Sequence, residues 1–356
     1  MTDAAGGQAC RSDKFAVTLI QTANTLDMLS GIWRRLLKRS SLSAHENFFD
    51  LGGDPGLAIE LFAEIARVYG RDLPPTRIYQ APTLGELASL MEHPEPLHFP
   101  PLVLLKSGTE YPPIFIAHGL GGSVMELFQL VRNIEAPNPI YGMQASGLDG
   151  ARTPFDRIED MAQFYLDSIK GLQPEGPYYF IGYSLGGLVV LEIAQRLSAM
   201  LERVGLLVLV DSYPYRSQLS TEQQMALFVK VVMRRASKAL RLFTWRNQPS
   251  AAELAKAGLY SPPAGASFAP HWQRVHDQAL TALKRYQPRP YAGRIQFIRA
   301  AVPSRFPDDP AAVWTPLAPD FHIDSVPGDH LGMLTVHFEA LASVLNRHLK
   351  ATLCAS

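Results

Sequence analysis

Apolar residues follow different periods in the two parts of the chain. Between about residues 22 and 91 they recur at steps of three and four: Leu26, Leu29, Trp33, Leu36 and Leu37, then Leu57, Leu61 and Ile65, then Leu84, Leu87 and Leu90. Such steps place side chains on one face of a helix, so the pattern predicts a small helical bundle of about 70 residues, near the lower size limit for folding alone. Further on, short continuous apolar runs alternate with amphipathic stretches. Residues 113–117, 178–181, 204–210 and 295–298 read as strands, and the series Ile158, Met161, Tyr165, Ile169 and Leu188, Leu191, Ala194, Leu197 read as helices. Strands without polar alternation, separated by helices, predict a mostly parallel sheet covered on both faces.

Four prolines fall within residues 92–101, where they remove backbone donors and stop any helix, so a linker is expected there. The predicted organisation is a helical domain over 22–91, the linker over 92–101 and an α/β domain over 102–356. Within the latter, residues 217–286 lack any strand pattern and carry only helical signals, among them Met225, Phe228, Val232 and Leu283. A helical insertion of that length between two strands predicts a lid over the site.

Composition narrows the class. Of 356 residues, 47% are hydrophobic and 19% charged, which supplies a core and excludes wholesale disorder. Basic and acidic residues balance at 33 each, so the excess expected of a nucleic-acid binder is missing. Cys10 and Cys354, near opposite ends, do not form a disulfide framework. The first residues lack a signal-peptide pattern, and no apolar run approaches the roughly 20 residues of a membrane span. The expectation is a soluble, cytoplasmic protein with neither nucleic-acid nor membrane partners.

Candidate chemistry begins at Gly182-Tyr183-Ser184-Leu185-Gly186, between an expected strand and an expected helix. A bare G-x-S-x-G arises by chance in about one chain of this length in ten. Its placement adds the information: on a sharp strand-to-helix turn the glycines permit close packing and Ser184 presents its hydroxyl at the sheet edge as a nucleophile. His330, in Gly328-Asp329-His330, follows in the chain order used by this architecture, and its imidazole suits a general base. Asp211, directly after the strand 204–210, is the candidate acid, with Asp308 and Asp309 as rivals and Asp329 as a residue that shapes the loop. The loop His118-Gly119-Leu120-Gly121-Gly122 suits an oxyanion site, with donors expected from Leu120 or Gly121 and from Leu185, while His118 braces the loop. No metal site is expected: His271 and His276 lack ligand-like company, and His322 reads as structural within a strand. Lys230, Arg234, Lys238 and Arg241 would align as a basic stripe on a lid helix.

From about Phe99 onward the chain resembles the type I thioesterase domains that end nonribosomal peptide and polyketide synthetases. The resemblance is carried by Ala117-His118-Gly119-Leu120-Gly121-Gly122, Gly182-Tyr183-Ser184-Leu185-Gly186-Gly187, Val208-Leu209-Val210-Asp211 and Gly328-Asp329-His330. It implies an α/β-hydrolase fold with a helical lid, Asp211 rather than its rivals as the acid, and transfer of an acyl chain from carrier-bound phosphopantetheine to Ser184, then to water or an internal nucleophile. The N-terminal part resembles an acyl or peptidyl carrier domain through Ile32-Trp33 and Asn47-Phe48-Phe49-Asp50-Leu51-Gly52-Gly53-Asp54. In that family the residue after Gly-Gly-Asp is the serine that bears phosphopantetheine; here it is Pro55. No covalently bound cofactor is therefore expected, and the substrate would come on the phosphopantetheine of another carrier domain of a synthetase. The competing readings are a general carboxylesterase or lipase-like hydrolase and a non-catalytic, carrier-like docking module.

Overall fold

A computed structural model of the chain describes residues 25–70, 73, 75–79, 81–92, 99–225, 227, 270–302 and 306–353. Two compact units divide it, Met1–His98 and Phe99–Ser356. Among the described residues, no helix is long and apolar enough to cross a membrane.

The first unit contains helix α1 (25–37), α2 (Pro55–Tyr69), a 3-10 turn (Pro75–Tyr79) and α3 (Leu84–Glu92). Their apolar faces meet around Trp33, Phe48, Phe62 and Leu87, all buried. The loop into α2 is built by Phe48, whose ring packs edge-on to Trp33 at 5.2 Å and whose carbonyl accepts from Gly53 N–H at 2.9 Å. A Cβ on Gly53 would lie 2.3 Å from the Phe48 ring, so this position requires glycine. Asp54 caps α2, its Oδ1 accepting from Leu57 N–H at 2.8 Å, and Pro55 is the first helical residue. Thr83 and Glu86 close a reciprocal capping box at the start of α3.

The second unit is a seven-stranded sheet in the order β1-β3-β2-β4-β5-β6-β7. Its strands are β1 (Leu102–Lys106), β2 (Ile114–Ala117), β3 (Ile140–Met143), β4 (Tyr178–Tyr183), β5 (Val204–Val210), β6 (Ile295–Ala300) and β7 (Phe321–Val326). All neighbours pair in parallel except β1 with β3. Alternate side chains of the central strands supply two cores: Phe115, Phe180 and Leu207 face a layer containing α5 (Ile158–Leu172) and α6 (Leu185–Ala199), whereas Ile116, Ile181 and Val208 face the other. The second layer contains α4 (Phe128–Arg132) and the terminal helix Phe338–Leu353. Burial on both sides is why these strands read as continuous apolar runs.

β1 and β3 escaped the pattern, and β7, which holds His322, also lies outside the four expected runs. β3 spans four residues and includes Gly142, and β1 is an edge strand whose Leu104 is exposed. Two helices follow β7, Gly332–Thr335 and Phe338–Leu353. Of the expected lid, the structure describes residues 217–225, 227 and 270–286, including a helix over Pro270–Arg285; Phe228, Val232 and the stripe Lys230, Arg234, Lys238 and Arg241 lie outside the described residues. That helix packs on the loop after β2: a Cβ on Gly122 would approach Val275 Cγ1 to 2.7 Å.

Candidate active site

Parallel strands all point their carboxyl ends to one edge of the sheet, and the segments leaving that edge carry Ser184, Asp211, His118 and His330. Ser184 follows β4, Asp211 follows β5, His118 follows β2 and His330 lies beyond β7.

Ser184 sits in a constrained turn. Its φ of 55° and ψ of −118° lie outside the regions favoured by side-chain-bearing residues, a strain of about 1–3 kcal/mol that surrounding contacts must hold. Its N–H donates to Val210 C=O at 2.9 Å, and its C=O accepts from Ser212 Oγ at 2.6 Å. The motif glycines leave no room for a Cβ. One on Gly182 would meet Gly187 Cα at 2.4 Å, and one on Gly186 would meet His118 O at 2.4 Å. The turn thus brings α6 against the ends of β4 and β2.

His330 Nε2 lies 3.0 Å from Ser184 Oγ, and His330 Nδ1 lies 2.8 Å from Asp211 Oδ2. Asp211 is 2% exposed, and its Oδ1 accepts a second bond from Ala300 N–H at 3.2 Å. A carboxylate can only accept, so Nδ1 carries the proton and Nε2 is left to accept from Ser184. Two rings hold the imidazole: Tyr183 stacks on it at 5.0 Å and Phe306 meets it edge-on at 4.9 Å, while Tyr183 Oη donates to His330 C=O at 2.8 Å. Asp309 instead caps the short helix Pro310–Trp314, accepting from Ala311 N–H at 2.9 Å, and Asp308 C=O accepts from Arg299. Asp329 Oδ1 accepts from Gly332 N–H at 2.7 Å and so shapes the loop of His330.

Leu185 opens α6, where its N–H has no intrahelical acceptor. Leu120 and Gly121 occupy the turn between His118 and Gly122. His118 spans this turn from beneath, with Nδ1 2.6 Å from Gly119 O and Nε2 2.8 Å from Tyr165 Oη. A carbonyl only accepts, so Nδ1–H donates to it and Nε2 accepts from Tyr165, whose phenol burial holds well above its usual range. Burial also lowers the His118 pKa to about 4, against a raising influence from the Gly119 carbonyl, and keeps the ring neutral. In the unfolded chain the same group takes up a proton below about pH 6.5. Its contribution to stability is therefore complete above that pH and is lost as pH falls toward 4. Thermal melts from pH 7 to 4.5 should show a shallower acid-side decline for His118→Gln than for the parent; parallel curves would contradict this assignment.

Tyr183, Phe306, Ser212, Tyr165 and Glu126 are the site residues that sequence reasoning did not single out. Tyr183 was within reach as the variable position before Ser184, but the others enter from distant segments.

A predominantly parallel sheet with a serine at the β4 turn and a helical layer on each face is the α/β-hydrolase fold. Residues 112–243 match the thioesterase domain family, and residues 27–91 match the phosphopantetheine attachment site family. The chain therefore carries a carrier domain followed by a thioesterase domain, as terminal modules of nonribosomal peptide and polyketide synthetases do. The dimodular nonribosomal peptide synthase of Bacillus subtilis (strain 168) is 34% identical over 189 residues, which are 53% of this chain and 8% of that protein. Among solved structures, a holo four-domain nonribosomal peptide synthetase bound to AMP and glycine superposes over 90% of this chain and 25% of its own, with a TM-score of 0.56 and 22% identity. The NocB thioesterase domain in covalent complex with a fluorophosphonate nocardicin G analog superposes over 69% of this chain and 97% of its own, with a TM-score of 0.50 and 21% identity. The chain thus spans less than a tenth of the synthase's length and a quarter of the four-domain synthetase.

The match to the attachment-site family implies a serine for phosphopantetheine. The residues here do not fit that group. The first residue of α2, directly after the Asp54 cap, is a proline, which has no hydroxyl, and residues 46–60 contain no serine, threonine, tyrosine or cysteine.

Proposed function

We propose that this chain is a serine thioesterase that releases an acyl, peptidyl or polyketide chain from a carrier-bound phosphopantetheine thioester in secondary-metabolite biosynthesis, by hydrolysis or cyclisation. The observation that carries the reading is the continuous relay Ser184 Oγ, His330, Asp211. Ser184 Oγ attacks the thioester carbonyl as its proton passes to His330 Nε2, and Asp211 stabilises the imidazolium that results. The developing oxyanion is met by N–H groups of Leu185 and of Leu120 or Gly121. Collapse breaks the C–S bond, His330 returns the proton to the departing thiol, and the acyl group remains on Ser184. Water or a nucleophile within the chain then attacks, with His330 again taking the proton.

Turnover of acyl thioesters on a separate carrier protein should exceed turnover of simple oxygen esters in kcat/KM. The reverse preference would favour a general carboxylesterase and overturn this reading.

The donor carrier is a second protein or a further domain, because Pro55 removes the loading point of the attached one. Incubation with coenzyme A and a phosphopantetheinyl transferase should add no mass to residues 46–60, whereas Pro55→Ser should become loadable. Addition to the parent chain within those residues would refute the unloaded state.

A further inference from the structure

We infer that Glu126 is a positioning residue of the oxyanion loop, holding the Gly119 peptide so that the Leu120 N–H is presented to the bound thioester. The inference rests on the proposed role of Ser184. It begins with a group that packing does not call for: a half-buried carboxylate beside the site, on the 3-10 turn Val124–Leu127. Removing a carboxylate from water costs free energy, and burial raises the Glu126 pKa to about 7, against a lowering influence from the Gly119 N–H. An apolar side chain at this place would carry no such cost.

The carboxylate is spent on one backbone donor. Glu126 Oε1 accepts from Gly119 N–H. The peptide joining His118 to Gly119 is thereby fixed on both sides, because its carbonyl, His118 O, lies against Gly186 so tightly that a Cβ there would approach to 2.4 Å. The next peptide plane is set by His118 Nδ1 on Gly119 O. A peptide is planar and trans, so anchoring Gly119 O fixes the opposite direction of Leu120 N–H. Glu126 and His118 thus govern the two soft dihedrals on either side of Gly119 Cα, one through the preceding plane and one through the following. Space enforces the same result: a Cβ on Gly119 would stand 3.1 Å from the Tyr183 ring and 3.2 Å from Glu126 Oε1.

The anchor itself is rigid. Ser123 Oγ caps its turn by accepting from Met125 N–H at 3.2 Å, and the flanking Val124 and Leu127 are fully buried. A carboxylate acceptor also makes a stronger bond to N–H than a neutral oxygen does. Loss of this bond frees the loop to rotate, and misplacement of a donor by about 1 Å can cost 10²-fold in rate.

The test uses the full chain, an acyl N-acetylcysteamine thioester and three variants. Glu126→Met keeps the length of the side chain but cannot replace the carboxylate acceptor; it should lower kcat by about 10- to 100-fold with little change in KM. Glu126→Gln offers an amide oxygen to the same N–H and should recover most of that loss. A Glu126→Met enzyme with parental kcat, or a Glu126→Gln enzyme as impaired as Glu126→Met, would overturn the inference. A second readout does not need a folded Glu126→Met protein: in proton–nitrogen spectra the Gly119 amide proton should lie far downfield in the parent and move upfield in Glu126→Gln, and an unshifted resonance would equally overturn it. Ser184→Ala separates this inference from the reading beneath it. Retained turnover in Ser184→Ala would remove the nucleophile assignment, whereas an inactive Ser184→Ala beside a fully active Glu126→Met would remove only the role of Glu126.

Discussion

Ser184→Ala is expected to abolish fluorophosphonate labelling and to reduce thioester turnover by about 10⁴-fold or more, leaving the melting temperature close to that of the parent. The two halves of this expectation come from different atoms. Among the described residues, the hydroxyl makes one hydrogen bond, at 3.0 Å to His330 Nε2, and it is the nucleophilic atom placed on that nitrogen. The strained turn depends on backbone atoms, through Ser184 N–H on Val210 C=O and Ser212 Oγ on Ser184 C=O. Alanine keeps both bonds and has the same backbone preferences at φ 55°. Labelling that persists in the variant would place the reactive group elsewhere. A parent protein that neither labels nor turns over substrate would instead support the docking-module reading.

Asp211→Asn should lower kcat by about 10³- to 10⁴-fold with the fold intact, and the reason is a tautomer. Asp211 accepts two bonds, from His330 Nδ1–H and from Ala300 N–H. Asparagine has a single oxygen. If that oxygen stays on Ala300 N–H, the amide NH₂ faces Nδ1, which must then become the acceptor. The imidazole proton moves to Nε2, and Nε2 can no longer take the proton of Ser184. The stacked Tyr183 ring, the edge-on Phe306 ring and the Tyr183 bond to His330 C=O still hold the imidazole in place, so the loss should appear in kcat rather than in stability. A loss below tenfold would mean that Asp211 does not orient the base.

Particular residues explain how much of this could be read in advance. β5 was legible to its ends because Val204–Val210 is apolar on both faces, and Asp211 was found because it terminates that run. Ser184 stood out through glycines that exclude any Cβ beside its turn. β3 was not legible: within four residues, Gly142 replaces an apolar signal because β1 lies against it, where a Cβ would approach Leu105 Cδ1 to 2.7 Å. Glu126 was equally hidden, since a lone glutamate near the end of an apolar turn looks like any solvated charge until Gly119 is brought to it.

Local order was written in the sequence itself: the two hydrophobic periods, the caps and glycine turns, the chain order of serine, aspartate and histidine, and the absence of a hydroxyl at Pro55. Apart from that chain order, each depends on residues within a few positions of one another, where sterics and hydrogen bonding act through the backbone. Residue position left Asp211, Asp308 and Asp309 open and the family resemblance implied Asp211; the tertiary structure puts Asp211 against His330, and it alone shows that Glu126, Tyr183 and Phe306 hold the groups on which the relay depends. Those contacts join segments up to about 150 positions apart, and what brings them together is the common carboxyl edge of a sheet whose strand order no local pattern encodes.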